Sequence, residues 1–384
     1  MRPEAAFPLR MRPALVFARR ADEAAPADEN MFSFRTTPIE DQLDRALTEG
    51  RVACFCTQNC WDPKRGRYLY DIFRERGNLV RVIRPSGTEL TPDTSHIDFD
   101  SSDIEGLDAI VVEIQDVGSR YFNYTRDVMR LMSMCAREAE SPAIYIVDHI
   151  NPAGRIVEGT MPAVESDIWT PKVAHRHGLT LGELCQLYCS EIGAKFQLHV
   201  ISAHCSSAGR DMLPWVIAPA SDIPGMFTCE LYPGGGLWNN TTITPAIGTA
   251  RPYEYFGAPF IKTEDVRFLP TPRGVMMRPC SFTPSAGIYS GQQCFGYQIM
   301  LAPDGQYHSL LHTLQLMRHF SDRYSQFEMS DALFVKIADP VIEEYLRGRL
   351  SFDVVQEHVK LEEQKWIRKA RRFLLYDDAP YRRK

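Results

Sequence analysis

A chain of 384 residues, 44% hydrophobic and 24% charged, carries enough apolar material for one large core or two ordinary ones. Its formal net charge of -6, with no basic stripe, argues against nucleic acid as a main partner. No apolar run approaches the length needed to cross a bilayer.

The first thirty residues are rich in Arg, Ala, Pro and Glu and show no stable periodicity. Their longest apolar stretch, Ala14 to Ala18, is too short for a signal-peptide core. Residues 1–33 are therefore expected to be a disordered extension, with Met11 or Met31 as alternative starts. From Arg51 onward, apolar runs alternate with amphipathic stretches. Val52–Thr57 reads as a strand, Tyr68–Arg76 as a helix, Leu79–Ile83 and Ala109–Ile114 as strands. A long helix from Tyr121 to about Glu138 places Val128, Leu131, Met132 and Cys135 on one face. Ala143–Val147 is a further strand, Leu181–Ile192 a helix and Gln197–Ile201 a strand. Such alternation implies right-handed βαβ crossovers and a parallel sheet.

Gly and Pro become frequent from Pro214 to Pro284, which predicts sparse regular structure and loops over a site. A strand at Tyr297–Leu301 follows, then helices near Tyr307–Arg323, Pro340–Arg349 and Phe352–Leu375. The expected class is α/β: a Rossmann-like parallel-sheet domain over 34–210 and a smaller α+β domain over 211–384, with cleft-lining loops. The ten cysteines do not read as a disulfide set. Cys54 and Cys56 alternate with apolar residues, and Cys135, Cys185 and Cys189 fall in helical patterns. Buried reduced thiols and the missing signal point to the cytoplasm. Cys56 and Cys60 have no second ligand pair at metal spacing, so no metal is assigned.

The most informative segment is Val111-Val112-Glu113-Ile114-Gln115-Asp116-Val117-Gly118-Ser119-Arg120. It reads as a buried strand delivering two carboxylates, an amide and an arginine to its carboxyl end, where open α/β sheets bind ligands. Asp148 closes the strand Ala143–Val147 and should lie on the same sheet edge, followed by His149, Ile150 and Asn151. Glu158 stands beside Gly159 in a loop, where backbone and ligand can approach closely. His175-Arg176-His177-Gly178 leads into a capping box, Thr180 to Glu183, which makes Glu183 mostly structural. A helix N-terminus disfavours an imidazolium, so neutral His177 suits a sugar hydroxyl or a carboxylate, a structural histidine being the alternative. Tyr232-Pro233-Gly234-Gly235-Gly236 lacks the Lys-Ser/Thr pair of a phosphate loop. The first βα turn lacks the glycine fingerprint of a nicotinamide site. Asn239-Asn240-Thr241-Thr242 offers amides and hydroxyls suited to carbohydrate, or a simple turn.

These segments together resemble the exo-β-N-acetylmuramidase family of peptidoglycan-recycling glycoside hydrolases. The ordered match runs from about Phe34 to Tyr376. It passes through Glu113–Arg120, Asp148-His149-Ile150-Asn151-Pro152, Val157-Glu158-Gly159 and Arg176–Leu184. It continues through Leu231–Gly234, Arg251-Pro252-Tyr253-Glu254 and Phe256–Pro259, and ends at Phe373–Tyr376. The resemblance implies removal of a terminal N-acetylmuramic acid from the non-reducing end of a peptidoglycan fragment, without cofactor. Such cleavage needs an acid for the leaving oxygen and a second carboxylate as base or nucleophile. Glu158 with Glu113 or Asp116 is the expected catalytic pair. Arg120, Asp148, Asn151, His177, Asn239, Asn240 and Arg251 are the expected contacts to an amino-sugar or muropeptide ligand.

The chain departs from the family at definite positions. Arg84-Pro85-Ser86-Gly87-Thr88 stands where members carry Ser-Pro-Glu-His-Gly, so Ser86 replaces a glutamate, with Glu89 nearby. Asn239 to Thr249 replaces Glu-Gly-Thr-Asn-Leu-Ser-Glu-Gly-Arg-Gly-Thr, losing two carboxylates and an arginine, with Pro245 at one of those positions. Asp148-His149-Ile150 replaces Asp-Arg-Pro. Three functions therefore stay open: a hydrolase releasing N-acetylmuramic acid or a related amino sugar, a catalytically silent homologue that binds a sugar or protein partner, and an enzyme of different chemistry reusing the cleft.

Overall fold

The computed structural model describes residues 39, 43–62, 66–85, 99–163, 171–202, 217–262, 268–302 and 307–376. The expectations for residues 1–33, Ser86 and Glu89 lie outside the described residues. The first half comprises α1 (Arg45–Thr48), β1 (Val52–Cys56), a small hairpin of β2 (Trp61–Asp62) and β3 (Arg67–Tyr68), and α2 (Leu69–Arg76). Then come β4 (Leu79–Ile83), β5 (Ala109–Glu113), α3 (Asn123–Cys135), β6 (Ala143–Asp148), α4 (Leu181–Ile192) and β7 (Leu198–Ser202). Five of these strands form one sheet in the order β4-β1-β5-β6-β7, every adjacent pair parallel. Strand order therefore reverses between β1 and β5, and the crevice outside the carboxyl ends of those strands is the ligand position of doubly wound sheets.

Strand alternation builds both layers. Ala53, Phe55, Ile110, Val112, Ile144 and Ile146 join the core that includes α3 and α4. Their neighbours Cys54, Cys56, Val111, Tyr145 and Val147 join the opposite core with Leu69, Tyr70, Ile72 and Phe73 of α2. Successive side chains point to opposite faces, so a continuous apolar run is what a sheet covered on both sides requires. Helix α4 starts at the anticipated capping box: Thr180 accepts from Glu183 N, and Glu183 Oε2 accepts from Thr180 N at 2.9 Å. It stops at Gly193, whose φ of 61° is left-handed. The nine cysteines among the described residues are not joined to one another by disulfides.

The second half contains α5 (Met226–Gly235), a 3-10 turn at Gly236–Asn240, β8 (Tyr255–Ala258), β9 (Val275–Phe282) and β10 (Cys294–Leu301). It ends with α6 (Ser309–Arg323), α7 (Asp331–Ile337), α8 (Pro340–Leu346) and α9 (Phe352–Ala370). The last three strands form an antiparallel sheet, β8-β10-β9. The expectation of sparse regular structure over 214–284 is thus corrected by α5, β8 and β9. Gly234 of this stretch serves packing. A Cβ on Gly234 would lie 2.2 Å from the Ser309 carbonyl, so glycine is what lets α5 and α6 touch. Tyr232–Gly236, weighed above as a phosphate loop, runs through the end of that helix.

Candidate functional site

Glu113 ends β5 directly opposite Cys56, the last residue of β1, and so stands at the strand-order reversal. Its side chain is 2% exposed, and Oε1 lies 3.0 Å from His149 Nε2, whose own side chain is 20% exposed. A carboxylate and an imidazole in contact can pass a proton between them, and His149 gives the pair its route to solvent. The loop leaving β1 closes over this point. Gln58 Nε2 donates to the carbonyls of Ala218 and Pro219, both at 2.9 Å, and Asn59 Nδ2 to Ile217 at 3.0 Å.

Asp116 is buried and engaged on both oxygens. Oδ1 accepts from Thr125 Oγ1 at 2.5 Å and Oδ2 from Gly118 N at 2.8 Å. Gly118 has φ 78°, and a Cβ there would lie 2.4 Å from Asn151 Oδ1. His177 Nδ1 accepts from Leu179 N at 3.2 Å, so the neutral ring carries its proton on Nε2, which faces Asp116 Oδ2 at 3.4 Å. The carboxylate met by His177 is therefore Asp116. His177, Thr125, Ser119 and Arg120 also line a small cavity with Phe122, Val173 and Leu184.

Glu158, expected in an open loop, is fully buried. Oε1 accepts from Arg176 Nη1 at 2.6 Å, and Oε2 accepts from Ser309 Oγ at 2.7 Å and Leu310 N at 3.0 Å. His308 Nδ1 is 3.4 Å from the same Oε2. Burial pushes this carboxyl up, but the charges of His308 and Arg176, with the Ser309 and Arg176 hydrogen bonds, hold it below the ordinary value. It braces a loop of the first half against the start of α6. His308 in turn contacts Glu363 of α9 at 2.8 Å, and the two carboxylates outweigh burial to raise its pKa.

Asp148 lies on the same sheet edge as Glu113 but turns toward α4. Oδ1 accepts from Gly182 N at 2.8 Å, and Oδ2 from Thr180 Oγ1 at 2.7 Å and Tyr376 Oη at 2.8 Å. Burial pushes its pKa up to about 6, against the pull of those donors. Asn151 caps its own turn, Oδ1 accepting from Ala153 N and Nδ2 donating to Leu179 O, both at 2.9 Å. Arg120 spreads its guanidinium over the carbonyls of Thr160, Val173, Lys336 and Ile337. It also donates to His175 Nε2 at 3.1 Å, which leaves Nδ1 of His175 to donate to Thr160 O. Burial and the Arg120 charge push His175 well below its ordinary pKa, in keeping with this neutral tautomer.

The remaining candidates sit in the second half. Arg251 is exposed and pairs with Glu254 Oε2 at 2.8 Å. Asn240 uses its backbone carbonyl to accept from Ser330 N and Oγ, both at 3.0 Å. Asn239 Nδ2 donates to Tyr253 Oη at 3.2 Å, and Tyr253 Oη donates to Asp222 Oδ2 at 3.1 Å. Tyr253 has φ 63°, a left-handed backbone that costs a bulky side chain on the order of 1–3 kcal/mol. Asp222 did not stand out in the sequence, and Tyr253 did so only within the Arg251-Pro252-Tyr253-Glu254 segment of the resemblance. The signal for His149 was its place immediately after a strand-end carboxylate.

Comparison with known proteins agrees with this architecture. Residues 94–221 match the N-terminal and residues 230–376 the C-terminal family model of exo-β-N-acetylmuramidase NamZ. The chain belongs to the exo-β-N-acetylmuramidase family. Within that family, 248 residues are 30% identical to the peptidoglycan β-N-acetylmuramidase NamZ of Bacillus subtilis (strain 168), covering 61% of this chain. The match spans 59% of the length of that relative. Two crystal structures of DUF1343 family proteins from Bacteroides fragilis NCTC 9343 have the same fold. One superposes with a TM-score of 0.74 at 20% identity, covering 90% of this chain and all of the other. The second gives 0.70 at 21% identity, covering 88% of this chain and 97% of its own.

Proposed function

We propose that this chain is a glycoside hydrolase that releases a terminal N-acetylmuramic acid or related amino sugar from peptidoglycan fragments. The observation that carries this function is the Glu113–His149 pair at the strand-order reversal. Glycosidic cleavage needs a proton delivered to the leaving oxygen and a carboxylate that stabilises or attacks the sugar carbon. Glu113 stands at the strand-order reversal in contact with the partly exposed His149, so it fills the carboxylate role with His149 as its proton partner. Glu158 serves instead as the brace that holds the His175–Gly178 loop against α6, since an ionised carboxylate paired to arginine cannot act as the acid. Asp116 orients His177 at the cavity, and Asp148 anchors α4.

Binding without turnover is the second function supported by a particular observation. The oxygens of Asp116, Asp148 and Glu158 are engaged by protein donors, so these three carboxylates are held by the fold. The deciding experiment is hydrolysis of a chromogenic N-acetylmuramic acid glycoside by the purified chain. Turnover that disappears in Glu113→Gln supports the hydrolase. Sugar binding with no turnover supports the silent homologue, and neither binding nor turnover contradicts both.

A further inference from the structure

The strained backbone at Tyr253 holds together three polar groups that the reaction scheme above does not use. Its N–H donates to Pro245 O at 2.7 Å, which fixes the left-handed turn, and its ring packs edge-on against Tyr232 with centroids 4.7 Å apart. The phenol hydroxyl is thereby set between a carboxylate and an amide: it donates to Asp222 Oδ2 and accepts from Asn239 Nδ2. Asp222 is half-buried and Asn239 exposed, so the cluster opens to solvent at those two residues. Among the described residues, Asp222 Oδ1 and Asn239 Oδ1 have no protein donor. Two acceptor oxygens on a preset frame suit a ligand that presents hydroxyl and N–H donors.

The cluster is tied to the switch-point crevice. A backbone bridge between Ala220 and Ile223 closes the turn that carries Asp222. The carbonyls just before it, at Ile217, Ala218 and Pro219, are those held by Gln58 and Asn59 in the loop leaving β1. Backbone strain in a non-glycine residue persists where surrounding structure over-determines it, and such positions concentrate at ligand sites.

We propose that Asp222, Tyr253 and Asn239 form a subsite for the hydroxyl and acetamido groups of a neutral amino sugar beside that crevice. This subsite rests on the amino-sugar function proposed above and specifies which part of the ligand it takes. Asp222 accepts from sugar hydroxyls or an acetamido N–H and repels a carboxylate. The subsite therefore favours N-acetylglucosamine over N-acetylmuramic acid, which bears a lactyl carboxylate.

The test is calorimetric titration of the full chain with each of these two sugars, for wild type, Asp222→Asn and Tyr253→Phe. Asp222→Asn should weaken N-acetylglucosamine binding about tenfold, the scale of one charge-assisted hydrogen bond, while weakening N-acetylmuramic acid less. Tyr253→Phe keeps the ring and the backbone but loses the hydroxyl, and it should also weaken N-acetylglucosamine. Both variants should unfold at the wild-type temperature. Unchanged affinities and an unchanged preference between the two sugars would overturn the subsite alone. So would affinity lost only in step with a fall in the unfolding temperature, because that pattern marks a structural brace. If wild type binds neither sugar, the amino-sugar function fails and this subsite fails with it.

Discussion

Glu113 and Glu158 are equally hidden from water yet differ in what surrounds them. Glu158 meets a permanent cation, a hydroxyl, a backbone N–H and the His308 imidazole, brought together by folding. Glu113 meets an imidazole that can itself gain or lose a proton and that reaches solvent. Burial alone therefore does not assign a carboxylate its role. The partners add to it: Glu158 has an arginine, a hydroxyl and a backbone N–H beside its imidazole, whereas Glu113 meets His149 at the ligand edge of the sheet.

The largest expected effect comes from unlocking the brace. Glu158→Ala strands the Arg176 guanidinium in the interior and should lower the free energy of unfolding by about 3–5 kcal/mol, read from denaturant titration. A loss below about 1 kcal/mol would mean that the ion pair does not hold the two halves together as described.

Asp148 sharpens the comparison, being a buried carboxylate on the same sheet edge as Glu113, held by Thr180, Gly182 and Tyr376. Its folded-state pKa of about 6 exceeds the ordinary 3.8, so the folded protein binds more protons than the unfolded chain between those values. Stability from this group is therefore lost as pH rises from about 4 to 6, by about 3 kcal/mol in total. Asp148→Asn removes that titration. Relative to the Asn variant, wild type should weaken by this amount between pH 4 and 7, and parallel stability curves would contradict the assignment. Glu158 has the opposite sign: its depressed pKa gives stability that is present above the ordinary carboxylate value and lost as pH falls through the folded one.

Much of this arrangement was legible in the sequence where a local rule applied. Leu79–Ile83 and Leu181–Ile192 match the observed elements end to end. The first is an apolar run following the left-handed Gly77, and the second is framed by its capping box and by Gly193. Glu113 was legible because an apolar strand running into a carboxylate places that group at the ligand edge of a parallel sheet. The burial of Glu158 was not, since its partners Ser309 and Leu310 lie far along the chain and only folding brings them together. The same holds for α5, where Gly234, part of a run that suggests a loop, admits the α6 backbone. The meeting of Asp222 with Tyr253 was silent for a related reason: it depends on a left-handed tyrosine that no pattern announces.

The division of labour between the two glutamates is tested most directly by measuring turnover and unfolding temperature together for Glu113→Gln and Glu158→Gln. The substrate is the chromogenic N-acetylmuramic acid glycoside. Glu113→Gln should abolish hydrolysis while leaving the unfolding temperature close to that of wild type. Glu158→Gln should lower the unfolding temperature while the molecules that remain folded keep turning over. The reverse pattern, with Glu158→Gln inactive but fully stable and Glu113→Gln active, would contradict the account.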